Sequence, residues 1–303
     1  MRICVVGCGA IGSLFAAHLG RLPEAEVWAF DVSEAQVRAI NESGLRRAGD
    51  GQPAAPVRAR TDASEIPPCE LGIVATKSLY TESAMAASAR VFADGAVCSV
   101  QNGVGNEEVV ARHVPRVIRG TTIVAGHVPA PGVVHLDAPG DTWIGPFEPQ
   151  PAALDEVHQL ADLLTRSGLR TAALADSRGA QWTKLIFNSA TSPVAALTGL
   201  TMGQLSAAAD IRELISGLAA EGCAVADALG ITLDDDPMAL IDAAFSHAHG
   251  HQPSMLQDAL ARRRTEIDVL NGGIVRMGRE TGVPTPLNQA VTALVDGLER
   301  SWT

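Results

Sequence analysis

Apolar residues in the first half of the chain fall into short runs of strand length, separated by stretches whose apolar positions recur at helical spacing. The opening segment, RICVVGCGAIGSLFAAHL, shows both habits. Ile3 to Val6 form a β-branched-rich run suited to a buried parallel strand. A Gly-x-Gly-x-x-Gly turn ends it, a helix follows, and a second strand, AEVWAF, leads into Asp31. Runs at 71–75, 95–100, 117–125 and 168–174 predict further strands, and helical periodicity fills 33–44, 80–91, 105–113 and 151–166. Strands alternating with helices predict an α/β protein with a doubly wound sheet. Residues 126–149 are dense in Pro and Gly with alternating apolar positions, which predicts extra antiparallel hairpin strands at the sheet edge.

The texture changes at Asp176. β-branched runs become scarce, and the segments 177–191, 203–229, 237–248 and 265–282 carry helical spacing. The fold class is therefore an N-terminal Rossmann-type doubly wound sheet, residues 1–175, followed by an all-α C-terminal domain, residues 176–303. Near the boundary, Ala-Asp-Ser supplies a helix N-cap. The apolar face of 211–229 suits either a homodimer contact or an intramolecular core.

The first strand, glycine turn, helix and second strand together predict a dinucleotide-binding unit, and each position has a physical reason. Gly7 lets the chain turn tightly out of the strand. Gly9 leaves room for a pyrophosphate to approach the backbone, where first-turn N–H groups point at its charge, and Gly12 lets the helix pack closely on the strand. Cys8, Ala10 and Ile11 lie between them and complete the expected contact. Asp31 falls about 20 residues further on, where a carboxylate accepts the ribose hydroxyls of an adenosine. Three glycines alone would serve any loop; strand, helix, second strand and acid at the right spacing favour the dinucleotide. No second, flavin-type glycine motif is evident downstream.

Composition narrows the partners. A hydrophobic content of 47% with 19% charged residues is that of a water-soluble globular protein, and a formal net charge of -11 argues against nucleic acid or an anionic membrane as partner. The five cysteines, Cys4, Cys8, Cys69, Cys98 and Cys223, are an odd set without metal-like pairing, which suits a reduced, cytoplasmic setting. Arg2 runs straight into the first strand, leaving no signal-peptide n-region, and no 18-residue uncharged apolar run occurs. No metal is expected: His247, His249 and His251 crowd one loop without an accompanying carboxylate pattern.

Two constellations in the second half carry candidate chemistry. In WTKLIFNSATSP, Lys184 and Asn188 stand four apart and so share a helix face, flanked by apolar Leu185, Ile186 and Phe187. They read either as two polar groups presented beside a buried surface, or as a solvated Lys and a helix-ending Asn before Ser192-Pro193. In SMLQDALARRRTEIDVLNG, Ser254 with Gln257 and Thr265 with Asp268 form two competing capping boxes. One continuous helix would hold Ser254 and Glu266 about 18 Å apart, too far to share a small ligand. A break is therefore expected within 257–264, with a new helix starting at Thr265. Locally, Glu266 then reads as a first-turn acid complementing the helix dipole.

Taken together, GCGAIG, the ATKSLYT segment with Lys77, Gln101-Asn102-Gly103, the Lys184/Asn188 helix and SMLQD followed by TEID resemble the ketopantoate reductase (2-dehydropantoate 2-reductase) family along the whole chain. The resemblance implies a Rossmann domain followed by a helical domain, with NAD(P)H and a small 2-keto acid meeting between them. It implies Lys184 as general acid, Glu266 and Asn188 at the hydroxyl end of the substrate, and Ser254 at its carboxylate. It places Asn102 beside both the nicotinamide and the reacting centre of the substrate, Lys77 on the cofactor, and Glu266 within reach of both ligands. An ammonium beside a 2-keto carbon stabilises the alkoxide that hydride addition creates and then protonates it. Glu266 would accept a hydrogen bond from a substrate hydroxyl and so reject keto acids lacking one.

Two positions depart from the family pattern. Asp31 stands where the family usually has an Arg for the 2′-phosphate of NADPH, so NADH preference is expected, with Lys77 able to rescue some NADPH use. Ser192, counted among the substrate-binding positions, stands where the family often has Asn; the shorter side chain enlarges the pocket or admits water, leaving open a different, for example sugar-derived, 2-hydroxy acid. A dinucleotide sensor without chemistry is the alternative from another class, and its cleft would lack proton donors.

Overall fold

The computed structural model describes residues 1–247 and 250–302 and divides into two compact units. The first comprises Met1–Gln101 and Asn106–Ser177, the second Asn102–Gly105 and Arg178–Thr303. A single cut between 175 and 176 does not describe this division, because four residues from the middle of the first half belong with the helices.

The first unit runs β1 (Arg2–Val6), α1 (Ala10–Leu19), β2 (Glu26–Phe30), α2 (Glu34–Ser43), β3 (Arg46–Arg47), β4 (Arg58–Arg60), β5 (Leu71–Val74), α3 (Thr81–Ser88), β6 (Ala96–Ser99), α4 (Asn106–Ala111), β7 (Val117–Thr122), β8 (Ala125–Ala130), β9 (Val133–Ala138), β10 (Thr142–Pro146), α5 (Leu154–Arg166) and β11 (Thr171–Ala173). Eight strands form one sheet in the order β11-β10-β7-β6-β5-β1-β2-β4. β1 pairs in parallel with β2 on one side and β5 on the other, with Ile3 opposite both Val27 and Leu71. The chain thus leaves β1 in one direction and returns to its other flank, so the strand order reverses at the carboxyl end of β1, the usual ligand crevice of such sheets. Period-two alternation covers both faces. Ile3 and Val5 join Leu14, Phe15, Leu160 and Leu164 in one core, while Cys4 and Val6 join Trp28, Met85, Phe92 and Val110 in another.

The hairpin region departs from expectation. β10 lies inside the sheet, antiparallel to β7 and parallel to β11. β8 and β9 leave the sheet altogether and form a three-stranded one with β3. Burial is the reason: Val134 and Leu136 pack into the core that holds Leu14 of α1, so the hairpin covers a helix instead of extending an edge.

The second unit contains α6 (Arg178–Thr198), α7 (Met202–Ala207), α8 (Ala209–Ala228), α9 (Pro237–His247), α10 (Ser254–Leu260), α11 (Asn271–Thr281) and α12 (Pro286–Arg300), the last beyond the helical segments read from the sequence. α6 is its axis, packed by α8, α9, α10 and α12. The apolar face of α8, including Ile215, Leu218 and Val225, is taken up within this core. The expected 203–229 helix is cut at Ala208, whose backbone is extended (φ -102, ψ 116). α6 passes through Pro193 instead of ending before it. Proline lacks the N–H that would bond the carbonyl four residues back, and here Asn271 Nδ2 donates to that carbonyl, Ser189 O, at 2.8 Å.

A break follows α10 as expected, with Arg262 at φ 49, but the next helix starts at Asn271 and not at Thr265. Glu299 of α12 explains the delay, since it accepts from Thr265 N at 2.7 Å and from Thr265 Oγ1 at 2.6 Å and pins the chain in an irregular turn. Neither expected capping box forms: Ser254 is the first residue of α10, behind a Pro253 cap, and Glu266 sits in the turn and not in a helix's first turn. Among the loop histidines, His249 and the side chain of His247 lie outside the described residues.

Candidate active site

In the first unit, the turn after β1 separates two kinds of glycine. Gly7 has φ +89, and a Cβ there would meet Thr76 at 2.6 Å; a Cβ at Gly12 would fall 1.8 Å from Gly7 O. The fold itself demands both. Gly9 is different, because it is exposed, has φ -67, and a Cβ on it would meet nothing within 4 Å. Its bareness answers no need of the protein, and leaves backbone open to an incoming group. Gly9 caps α1 without a side-chain bond, no acid occupies the first turn, and Ala10 and Ile11 are half-buried beside it, so the orphan N–H groups of the helix are available to an anion.

The turn is held from behind. Cys8 is buried, and its N–H donates to Asp31 Oδ2 at 2.6 Å while Ser33 N–H donates to Asp31 Oδ1 at 2.8 Å. Gln36, buried on α2, donates to Cys8 O at 3.1 Å and accepts from Gly132 N at 2.9 Å. Asp31 therefore braces the turn as well as standing at the end of β2; each carboxylate oxygen keeps lone-pair capacity for a further donor. Val32 beside it is 84% exposed, an apolar surface that the sequence reading did not single out. Lys77, half-buried, precedes a short 3-10 turn after β5.

In the second unit, three residues far apart in sequence converge. Lys184 Nζ donates to Asn102 Oδ1 at 2.7 Å, and Asn102 Nδ2 donates to Glu266 Oε2 at 3.0 Å. The amide thus links amine and carboxylate with both ends correctly matched. Burial pushes the Lys184 ammonium down to about 8, and the Glu266 carboxylate opposes the shift. An amine with that pKa can give up and recover a proton near neutrality. The strap carrying Asn102 is fixed to the helices: Val104 N donates to Val269 O at 3.0 Å, and Gln181 Nε2 donates to Gly103 O at 3.3 Å. Gln181 and Val269 were not among the expected site residues, because their part is positional and has no spacing signature.

The remaining expected residues are distributed along α6 and α10. Asn188 lies one turn beyond Lys184 and is half-buried; Ser192 lies a further turn along and is 3% exposed. Ser254 is exposed at the start of α10, which packs on α6.

Comparison with known proteins gives this arrangement a context. The family description "Ketopantoate reductase PanE/ApbA" matches residues 3–149, and its C-terminal counterpart matches residues 176–299. The chain belongs to the ketopantoate reductase family. A 2-dehydropantoate 2-reductase of Pyrococcus horikoshii is 32% identical over 99% of this chain and 98% of that protein. The crystal structure of a PanE/ApbA family ketopantoate reductase from Ralstonia eutropha is similar with a TM-score of 0.89 at 30% identity, covering 100% of this chain and 99% of the other. D-mandelate dehydrogenase in its ternary structure with NADH and anilino(oxo)acetate is similar with a TM-score of 0.91 at 27% identity, over 100% and 99% of the two chains.

As a ketopantoate reductase family member the protein is an NAD(P)-dependent oxidoreductase acting on a CH–OH group. The residues present fit such a cofactor: the open backbone at Gly9, the uncapped start of α1 and the acid closing β2 offer the N–H donors and the carboxylate that a dinucleotide's pyrophosphate and ribose require. No helix among the described residues is long and apolar enough to cross a membrane.

Proposed function

We propose that this protein reduces a small 2-keto acid to the 2-hydroxy acid, with 2-dehydropantoate the first candidate substrate and NADH the preferred cofactor. The observation that carries the reading is the linked Lys184–Asn102–Glu266 cluster. Bound NADH supplies the hydride to the keto carbon. Lys184 stabilises the oxygen on which negative charge develops and donates its proton to it. Asn102 holds the amine in line, and Glu266 accepts a hydrogen bond from a hydroxyl elsewhere on the substrate, assisted by Asn188. Ser254 takes the substrate carboxylate. At the cofactor, Gly7 to Gly12 cradle the pyrophosphate, Asp31 accepts from the ribose, Val32 offers the adenine an apolar surface, and Lys77 adds a cationic contact. A 2′-phosphate beside Asp31 would meet like charge, which is the reason for the NADH preference. Residues 176–303 with the Asn102 strap make up the substrate domain.

A second reading keeps the reaction and changes the acid. Ser192 is smaller than an Asn would be, and the likeness to D-mandelate dehydrogenase favours a bulkier, aryl-bearing 2-keto acid. Steady-state reduction of 2-dehydropantoate and of the 2-keto acid of mandelate, each with NADH and NADPH, separates these. Highest kcat/KM for 2-dehydropantoate with NADH is the expected result. A preference for the aryl acid selects the second reading, an NADPH advantage overturns the role given to Asp31, and dinucleotide binding without turnover on any 2-keto acid overturns the enzymatic reading.

A further inference from the structure

Away from the glycine turn and from the Lys184 cluster, the β8–β9 hairpin brings together two imidazoles and a carboxylate. His127 stands directly opposite His135 across the antiparallel pair, and Asp137 follows His135 by two positions, so all three share one face. Val134 and Leu136, at the alternate positions of β9, pack into the core; His135 and Asp137 therefore stand on the strand's outer face. The side chains keep 54%, 45% and 43% exposure for His127, His135 and Asp137, which leaves room for water to complete a coordination shell.

We propose that His127, His135 and Asp137 form a binding site for a divalent ion of borderline softness, Zn2+ above all. Asp137 Oδ1 lies 2.8 Å from His127 Nδ1 and 3.0 Å from His135 Nδ1, and the three donor atoms fall within 4.8 Å of one another. Metal–ligand bonds of about 2.0–2.2 Å set neighbouring ligand atoms roughly 3 Å apart at right angles and slightly further apart at the tetrahedral angle. Asp137 Oδ1 therefore already stands from each imidazole nitrogen at the distance that two ligands of one ion keep, and the two imidazoles are near enough to close on the same ion. Two imidazoles with one carboxylate suit zinc and its neighbours better than calcium or magnesium, which prefer all-oxygen sets. On binding, each imidazole nitrogen presents its lone pair to the metal and releases any proton it carried to solvent. The ion would clasp β8 to β9 across the register shift that follows His127, and so stiffen the hairpin that covers α1.

The test is titration of the chelator-treated full-length chain with ZnCl2 by calorimetry, with thermal unfolding followed in parallel. One ion per chain is expected, with a zinc-dependent rise in Tm. His135→Ala and Asp137→Asn should each weaken binding by about tenfold or more and abolish that rise. Asp137 is exposed and His135 half-buried on the outer face, and circular dichroism verifies that the variants fold. Reductase activity, which uses none of these residues, should be unchanged, so failure here is distinguishable from failure of the enzymatic reading. No zinc binding, or the same affinity in His135→Ala as in the parent chain, overturns the proposal.

Discussion

On the proposed function, the glycine turn of the first unit and the Lys184 cluster of the second would both meet negative charge, a pyrophosphate in one case and a developing alkoxide in the other, and they use different materials. The turn offers main-chain N–H groups whose charge is fixed by geometry and cannot be titrated. The cluster offers one side-chain cation, brought to about 8 by burial and held by an amide and a carboxylate. Binding a permanent anion favours the first solution, because nothing has to change during turnover. Managing charge that appears and disappears favours the second, because the proton itself must move.

The largest expected effect comes from deleting the titratable group. Lys184→Ala should lower kcat by about a hundred- to ten-thousand-fold while the Kd for NADH stays near its parent value, measured by stopped-flow and by fluorescence titration. Near-normal turnover would remove the contrast altogether. In the first unit, Gly12→Ala should cost about 1–3 kcal/mol in denaturant unfolding, since its Cβ would overlap Gly7 O. A main-chain problem solved by a side chain should show within the second unit: Asn271→Ala leaves Ser189 O buried without its donor and should cost about 1–3 kcal/mol, whereas adding Pro193→Ala restores an N–H and should recover part of that loss. Gly9→Ala should leave stability unchanged and weaken NADH by about tenfold, roughly 1.4 kcal/mol, because its Cβ meets only the space a ligand would fill. The smallest effect lies in the pH profile. Reduction needs the ammonium, so kcat should fall as pH rises through about 8; Glu266 raises the Lys184 pKa, so Glu266→Gln should move that limb to lower pH.

The glycine turn was readable in the sequence because its chemistry is local, from Gly7 to Asp31 along one β-α-β passage. Lys184 and Glu266 stood out locally, but their shared role with Asn102 was reached only through family resemblance, since no spacing rule joins residues 82 and 164 positions apart. The break after α10 was legible from helix length. The late start of α11 was not, because it depends on Glu299 reaching Thr265 from a helix outside the segments read. The passage of α6 through Pro193 stayed hidden for the same reason: the missing donor is replaced from a distant segment. β8 and β9 read correctly as a hairpin, but their departure from the main sheet follows from packing on α1, which alternation along the strands does not reveal.

The Pro193–Asn271 arrangement has a practical consequence for building hybrids between related reductases. A crossover placed anywhere between the two positions can join a proline-bearing helix to a partner segment without the asparagine, orphaning a carbonyl in the helical core. Crossovers outside residues 189–271 carry donor and acceptor together, and hybrids made that way should express better than those that divide the pair.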